Sequence, residues 1–216
     1  MTLRRTTLIA SILAAALAGC ASEGELVVSD GVGITAVRSA CPAVGIPDYT
    51  GDITVFAQPG SRAASNVDMT ASMTNLRSNC SDSGENVYTE ATFDVLVRRT
   101  DVRGARTVSV PYFTTVLQGG SAVQAKRIGS VTVQFADGQE RAQAQGKAGA
   151  FINRAAATLP ADIRERITRK RKPGDPDAAL DPLADPQVRA ALDRATFELL
   201  VGFQLTEDQL AYNATR

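Results

Sequence analysis

The chain has 216 residues, sets 23 Lys and Arg against 23 Asp and Glu, and contains neither His nor Trp. Without His, catalytic sites of the Ser-His-Asp, Cys-His and zincin types are excluded, and the even charge balance argues against a nucleic-acid surface, which needs a basic face. The length suits one domain with a sizeable core, or a domain with a helical appendix.

At the N-terminus, Arg4 and Arg5 precede an uncharged apolar segment over 8–18, which has the length of a signal peptide rather than of a spanning helix. It ends in Leu17-Ala18-Gly19-Cys20. These residues resemble the signal of bacterial lipoproteins, in which a Leu stands at the third position before a Cys that receives a diacylglycerol thioether. The resemblance implies that 1–19 is cleaved and that the mature chain starts at Cys20, with covalent lipid there; the rest of the sequence spells out no cofactor loop, and no other cofactor is expected. Ala21, rather than Asp, follows the Cys, which in Gram-negative lipoproteins implies the outer membrane, facing the periplasm, over the inner membrane. The resemblance implies a location and no activity. Cleavage also removes Arg4 and Arg5 and leaves the mature chain slightly acidic.

With Cys20 assigned to lipid, Cys41 and Cys80 remain, and an exported pair most simply forms one disulfide. Closing that loop stabilises by about 4 kcal/mol in the entropic model. A redox role is disfavoured because no Cys-x-x-Cys motif exists.

Residues 20–40 are rich in Gly and Ser and read as a tether with a short strand near 32–37. A flexible chain of this length reaches about 25 Å, close to the bilayer surface. From 41 to 153 the dominant hydrophobic period is two. Val87, Thr89, Ala91, Phe93, Val95 and Val97 share one face of a strand, Met69, Ala71 and Met73 one face of another, with a phase shift toward Leu76 that suggests a bulge. Val108, Val110, Tyr112, Thr114 and Val116 mark a third strand, in which Pro111 is expected at an edge because it lacks a ladder donor. Val131, Val133 and Phe135 mark a fourth, with Gly129 as a kink. Asp137-Gly138 is expected to close a tight hairpin onto the alternating alanines of 142–150. A short strand over 53–56 opens the set. Roughly six or seven antiparallel strands with regular turns predict a mainly β fold, a sandwich of the immunoglobulin or fibronectin type, with a closed barrel as the alternative.

Beyond about 154 the pattern predicts a helical extension to 216. Pro160 starts a helix over 161–172 that Pro173-Gly174 ends. The Pro- and Asp-rich stretch 173–186 is a linker. Asp185-Pro186 then caps a helix carrying Val188, Ala191, Leu192, Ala195 and Leu199, and Thr206 with Gln209 forms a capping box for a last helix over 207–212.

Three features bear on function. The run Arg164, Arg166, Arg169, Lys170, Arg171 and Lys172 is a candidate contact for membrane or other anions, each cation contributing about 1 kcal/mol at an anionic leaflet; its alternative is charge complementing the C-terminal end of a helix. Asp175, Asp177, Asp181 and Asp185 do not follow a calcium loop, and capping is the preferred reading, so no metal site is expected. The carboxylate pairs Glu90 with Asp94 and Asp162 with Glu165 lack an aromatic platform for a sugar, which leaves a hydrolase remote. The leading expectation is therefore a non-catalytic binding or scaffolding module of the cell envelope with a protein partner, docking by strand addition at the Pro111 edge or through the C-terminal helix. The alternative is a carrier or sensor of a lipid or small apolar ligand. An apolar cavity between the sheets favours the carrier, a filled core with an exposed apolar patch the scaffold.

Overall fold

A computed structural model describes residues 32–215. Leu17, Cys20 and the apolar segment before them lie outside the described residues. The chain divides into two units. One comprises Ile34–Arg169 and Asp181–Arg216 and holds the sheets; the other includes Val32, Gly33 and Lys170–Leu180.

Two four-stranded sheets form the larger unit. One has the order β2-β3-β4-β7, with β2 at Asp52–Phe56, β3 at Val67–Ser81, β4 at Asn86–Arg99 and β7 at Arg141–Asn153. The other has the order β1-β8-β5-β6, with β1 at Ala43–Gly45, β8 at Phe197–Phe203, β5 at Arg106–Gln118 and β6 at Ala122–Phe135. All neighbours pair antiparallel except β1 with β8. The alternating residues place themselves as the pleat requires: Val87, Ala91, Phe93 and Val95 of β4 and Val133, Leu199 and Val201 of the opposite sheet are fully buried in one apolar core. The expected sandwich is present, with eight strands. Its strand order differs from the ABED and CFG pairings of immunoglobulin constant domains, so the likeness is one of architecture.

Where the expected helix was to run on to Leu199, it stops at Ala195. The helix α2, Pro186–Ala195, ends at Thr196 in extended conformation, and Phe197–Phe203 becomes β8, an interior strand between β1 and β5. A near-continuous apolar run is what a strand buried on both faces requires, and helical spacing across 188–199 concealed it. The C-terminal region is thus part of the sandwich as well as a helical extension.

The Asp137-Gly138 turn does not make a hairpin, because β6 and β7 belong to different sheets. It carries the chain across the sandwich, with Gly138 at φ +76°, and ties itself to the connection from β4 to β5: Gly138 N–H donates to Val102 O at 2.9 Å and Gly104 N–H to Asp137 Oδ1 at 2.6 Å. Pro111 is not at an edge either. It sits in β5, flanked by β6, one residue beyond the register with β8, which starts at Tyr112 and Phe203. Its carbonyl accepts from Gln204 N–H at 2.9 Å, so its missing donor falls where the β8 ladder has already ended. Gly129 lies inside β6, where a Cβ would come within 2.5 Å of the Tyr112 ring; the glycine admits that ring rather than kinking the strand. The phase shift near Leu76 is a bulge, with Asn75 at φ +53°.

The first helix, α1, spans Ala161–Thr168 and ends four residues before its expected stop, where Arg169 turns extended; a continued helix would set Arg166 beside the like charges of Arg169 and Lys170, three and four residues on. No strand covers 32–37. Instead Ala36 N–H donates to Ile167 O at 2.8 Å, which holds this part of the expected tether against α1. The last helix, α3, spans Glu207–Thr215 and carries the capping box, with Thr206 N–H donating to Gln209 Oε1 at 2.9 Å.

Two of the links between the sheets start from β3. Cys41, just before β1, is disulfide-bonded to Cys80 of β3. Arg106 of β5 forms a bidentate pair with Asp68 of β3 at 2.6 and 2.7 Å. Among the described residues, no helix is long and apolar enough to cross a membrane.

Candidate functional site

The open side of the sandwich is built by its two edge strands, β6 and β7. They touch where Gly146 leaves room for Phe93 and Val131. At that level Tyr112 spans the sheets, its hydroxyl donating to Lys147 O at 2.6 Å while its ring meets Phe93 edge-on at 5.1 Å. Beyond this seal the strands diverge around a cleft of about 340 Å³, lined by Thr114, Val116, Ala125 and Arg127 on one side and Gly149, Ala150 and Phe151 on the other.

The β7 side of the cleft exposes backbone. Glu140 O and Arg154 N–H, at the two ends of the β4 ladder, bond to Arg99 and Glu85. Even-numbered residues of β7 therefore turn their peptide groups toward β4, and odd-numbered ones turn theirs away. Lys147 spends its carbonyl on Tyr112, which leaves the N–H and C=O of Gly149 and Phe151 facing the cleft. The side chain of Phe151 is 72% exposed, stacked on Tyr88 at 4.6 Å. Arg127 supplies the charge of the cleft and has no carboxylate partner among the described residues.

A second concavity, of about 410 Å³, lies outside the sheets. Its floor is Ala157, Ile167 of α1, Leu192 of α2 and Phe197 of β8, all at most 9% exposed. Residues 37–43 form one wall, held by the Ala36 bond to α1 and by Arg38, whose guanidinium reaches Thr196 Oγ1 at 3.4 Å. Arg38 and Arg164, both exposed, line it as well, and no acidic residue does.

The six cations of the basic run do not share one environment. Arg164 lines the groove and Arg166 pairs with Asp185 at 3.4 Å; Arg169 is exposed at the end of α1. In the smaller unit Lys170 and Lys172 are exposed, whereas the side chain of Arg171 is 4% exposed and pairs with Asp177 at 3.2 Å, next to a single antiparallel bridge with Val32. The four aspartates act locally. Asp175 accepts from Lys172 N–H, Asp177 pairs with Arg171, and Asp181 and Asp185 accept from Leu183 and Gln187 N–H as caps. Glu90 pairs with Lys147 at 3.5 Å and Asp94 accepts from Asn75 at 2.8 Å, so both serve cross-strand contacts on β4. Among the described residues, no three His, Cys, Asp or Glu side chains stand together as metal ligands.

Neither concavity was foreseen, because each draws its lining from segments far apart in sequence. The one local signal was the small-residue alternation around Gly146, Ala148 and Gly149, which marks a close approach across β7. Compared with known proteins, the chain matches no family model, no characterised protein and no solved structure.

Proposed function

We propose that the chain is a non-catalytic binding module of the cell envelope, held at the outer membrane by acyl groups on Cys20, and that the cleft between β6 and β7 receives an extended segment of a protein partner. The observation that carries this reading is the unpaired edge of β7 inside a cleft. An incoming strand would gain main-chain hydrogen bonds from Gly149 and Phe151, an apolar contact with the Phe151 ring, and an ion pair between an acidic side chain and Arg127. The filled core between the sheets also supports a scaffold over a carrier that encloses its ligand there. The lipoprotein-like signal supports the location.

Photo-crosslinking in intact cells tests the reading. A photoreactive residue at Ala125 or Phe151 is expected to give the same protein adduct, which weakens with Arg127→Glu and with Cys20→Ser, while one at the exposed Arg103, in the connection from β4 to β5 at the opposite end of the sandwich, gives none. Equal adducts from all three positions, or none from the cleft, would contradict it. An adduct of twice the chain's own mass would replace the partner by a second copy.

A further inference from the structure

We propose that the groove outside the sheets binds a single-chain anionic amphiphile, with its hydrocarbon over Ala157, Ile167, Leu192 and Phe197 and its acidic head between Arg38 and Arg164. This goes beyond the protein-docking role and rests on a different surface. The floor is formed where α1 and α2 meet the start of β8, and its side chains offer no polar atom to a ligand's chain. The volume of about 410 Å³ falls in the range of small-molecule sites. Thr158, Thr168 and Thr196 also line the groove, their hydroxyls engaged with Arg154 O, Arg164 O and the Arg38 guanidinium, so the charge offered to a head group is that of Arg38 and Arg164, and no carboxylate lines the groove to oppose it. An apolar trough lined by two cations and no carboxylate selects a negatively charged head, because a neutral or cationic one would leave those cations without a counter-charge. The wall over 37–43 is fixed at its two ends, by the Ala36 bond to α1 and by the Cys41–Cys80 disulfide, so the groove is preformed rather than dependent on closure.

The test uses the full chain with Cys20→Ser, so that its own acyl group does not compete, and palmitate below its micelle concentration, followed by calorimetry. Saturable one-to-one binding is expected. Arg38→Gln with Arg164→Gln, both exposed positions, is expected to weaken it at least about tenfold, as loss of charge-assisted contacts implies. Ala43→Trp, at an exposed position of β1 on the groove wall, is expected to abolish it without changing the thermal midpoint. Hexadecanol and a hexadecyl trimethylammonium salt are expected to bind at least as weakly as palmitate binds to the double variant. Absence of palmitate binding, binding indifferent to both variants, or equal binding of the alcohol would overturn the proposal. Loss of the cleft crosslinks leaves these outcomes unchanged, so the two readings fail separately.

Discussion

At 1% exposure, Arg99 is the largest fully buried side chain of the fold, and carbonyls rather than carboxylates satisfy its charge. Nε donates to Gln139 O at 2.8 Å, Nη1 to Gly104 O at 2.9 Å, and Nη2 to Val102 O and Ala136 O at 2.7 and 2.9 Å, with the guanidinium 5.0 Å from the Phe135 ring centre. One residue thereby fastens two of the connections between the sheets, from β4 to β5 and from β6 to β7. Arg99→Ala is expected to cost about 3 kcal/mol, with Arg99→Lys recovering only part, since an ammonium has three donors and no planar fork; urea unfolding measures both. Sequence reading could not single out Arg99, because it ends an alternating strand among other arginines and its partners are main-chain atoms. Asp68 shows the same economy with a titratable partner. The hydrogen bonds from Arg106 hold its carboxyl below the usual carboxylate range, against the opposing effect of burial. A lowered value contributes stability above the unfolded pKa, and that stability is lost as pH falls through the folded one. Asp68→Asn is therefore expected to be less stable than the parent at pH 7, with the gap closing below about pH 4. A gap of constant size down to pH 2.5 in urea midpoints would show that the pair contributes nothing.

Among the elements, those with one strong local signal were legible. The two-residue period of β4 named its inward face, Asp185-Pro186 started α2, and Thr206 with Gln209 started α3. Elements whose identity depends on neighbours were not. β8 reads as helix until β1 and β5 flank it, and Asp137-Gly138 reads as a hairpin until its strands part into different sheets. Gly146 shows why small residues in β7 are needed: a Cβ there would overlap the Phe93 ring and crowd Val131. The disulfide was legible from composition and supposed compartment, but its mechanical role was not. By tying the segment before β1 to the bulged, less covered end of β3, it joins the two sheets at the end away from the Arg99 clamp. Replacing both Cys41 and Cys80 by Ala is expected to lower the unfolding free energy by about 4 kcal/mol. An unchanged urea midpoint would mean that the sheets hold together without the link.

For the whole molecule, the sequence placed the architecture and suggested an address, while the surfaces that bind emerged only from packing. A sandwich with a filled core can recognise others at its edges or in grooves beside it, and this one has both: a cleft where β6 and β7 diverge, and an apolar trough under residues 37–43. Nature usually blunts free edges with charge or bulges, as at Lys126 and Arg127 of β6. The β7 edge carries glycine and phenylalanine in the cleft instead, which suits strand addition. Residue-resolved amide hydrogen exchange of the free protein tests this claim most directly. The Gly149 and Phe151 amides are expected to exchange near the rate of unstructured peptide, while those of Ala148, Ala150 and Ile152, turned toward β4, stay protected. Equal protection of both sets would mean that the edge is already paired, and the docking account would fail.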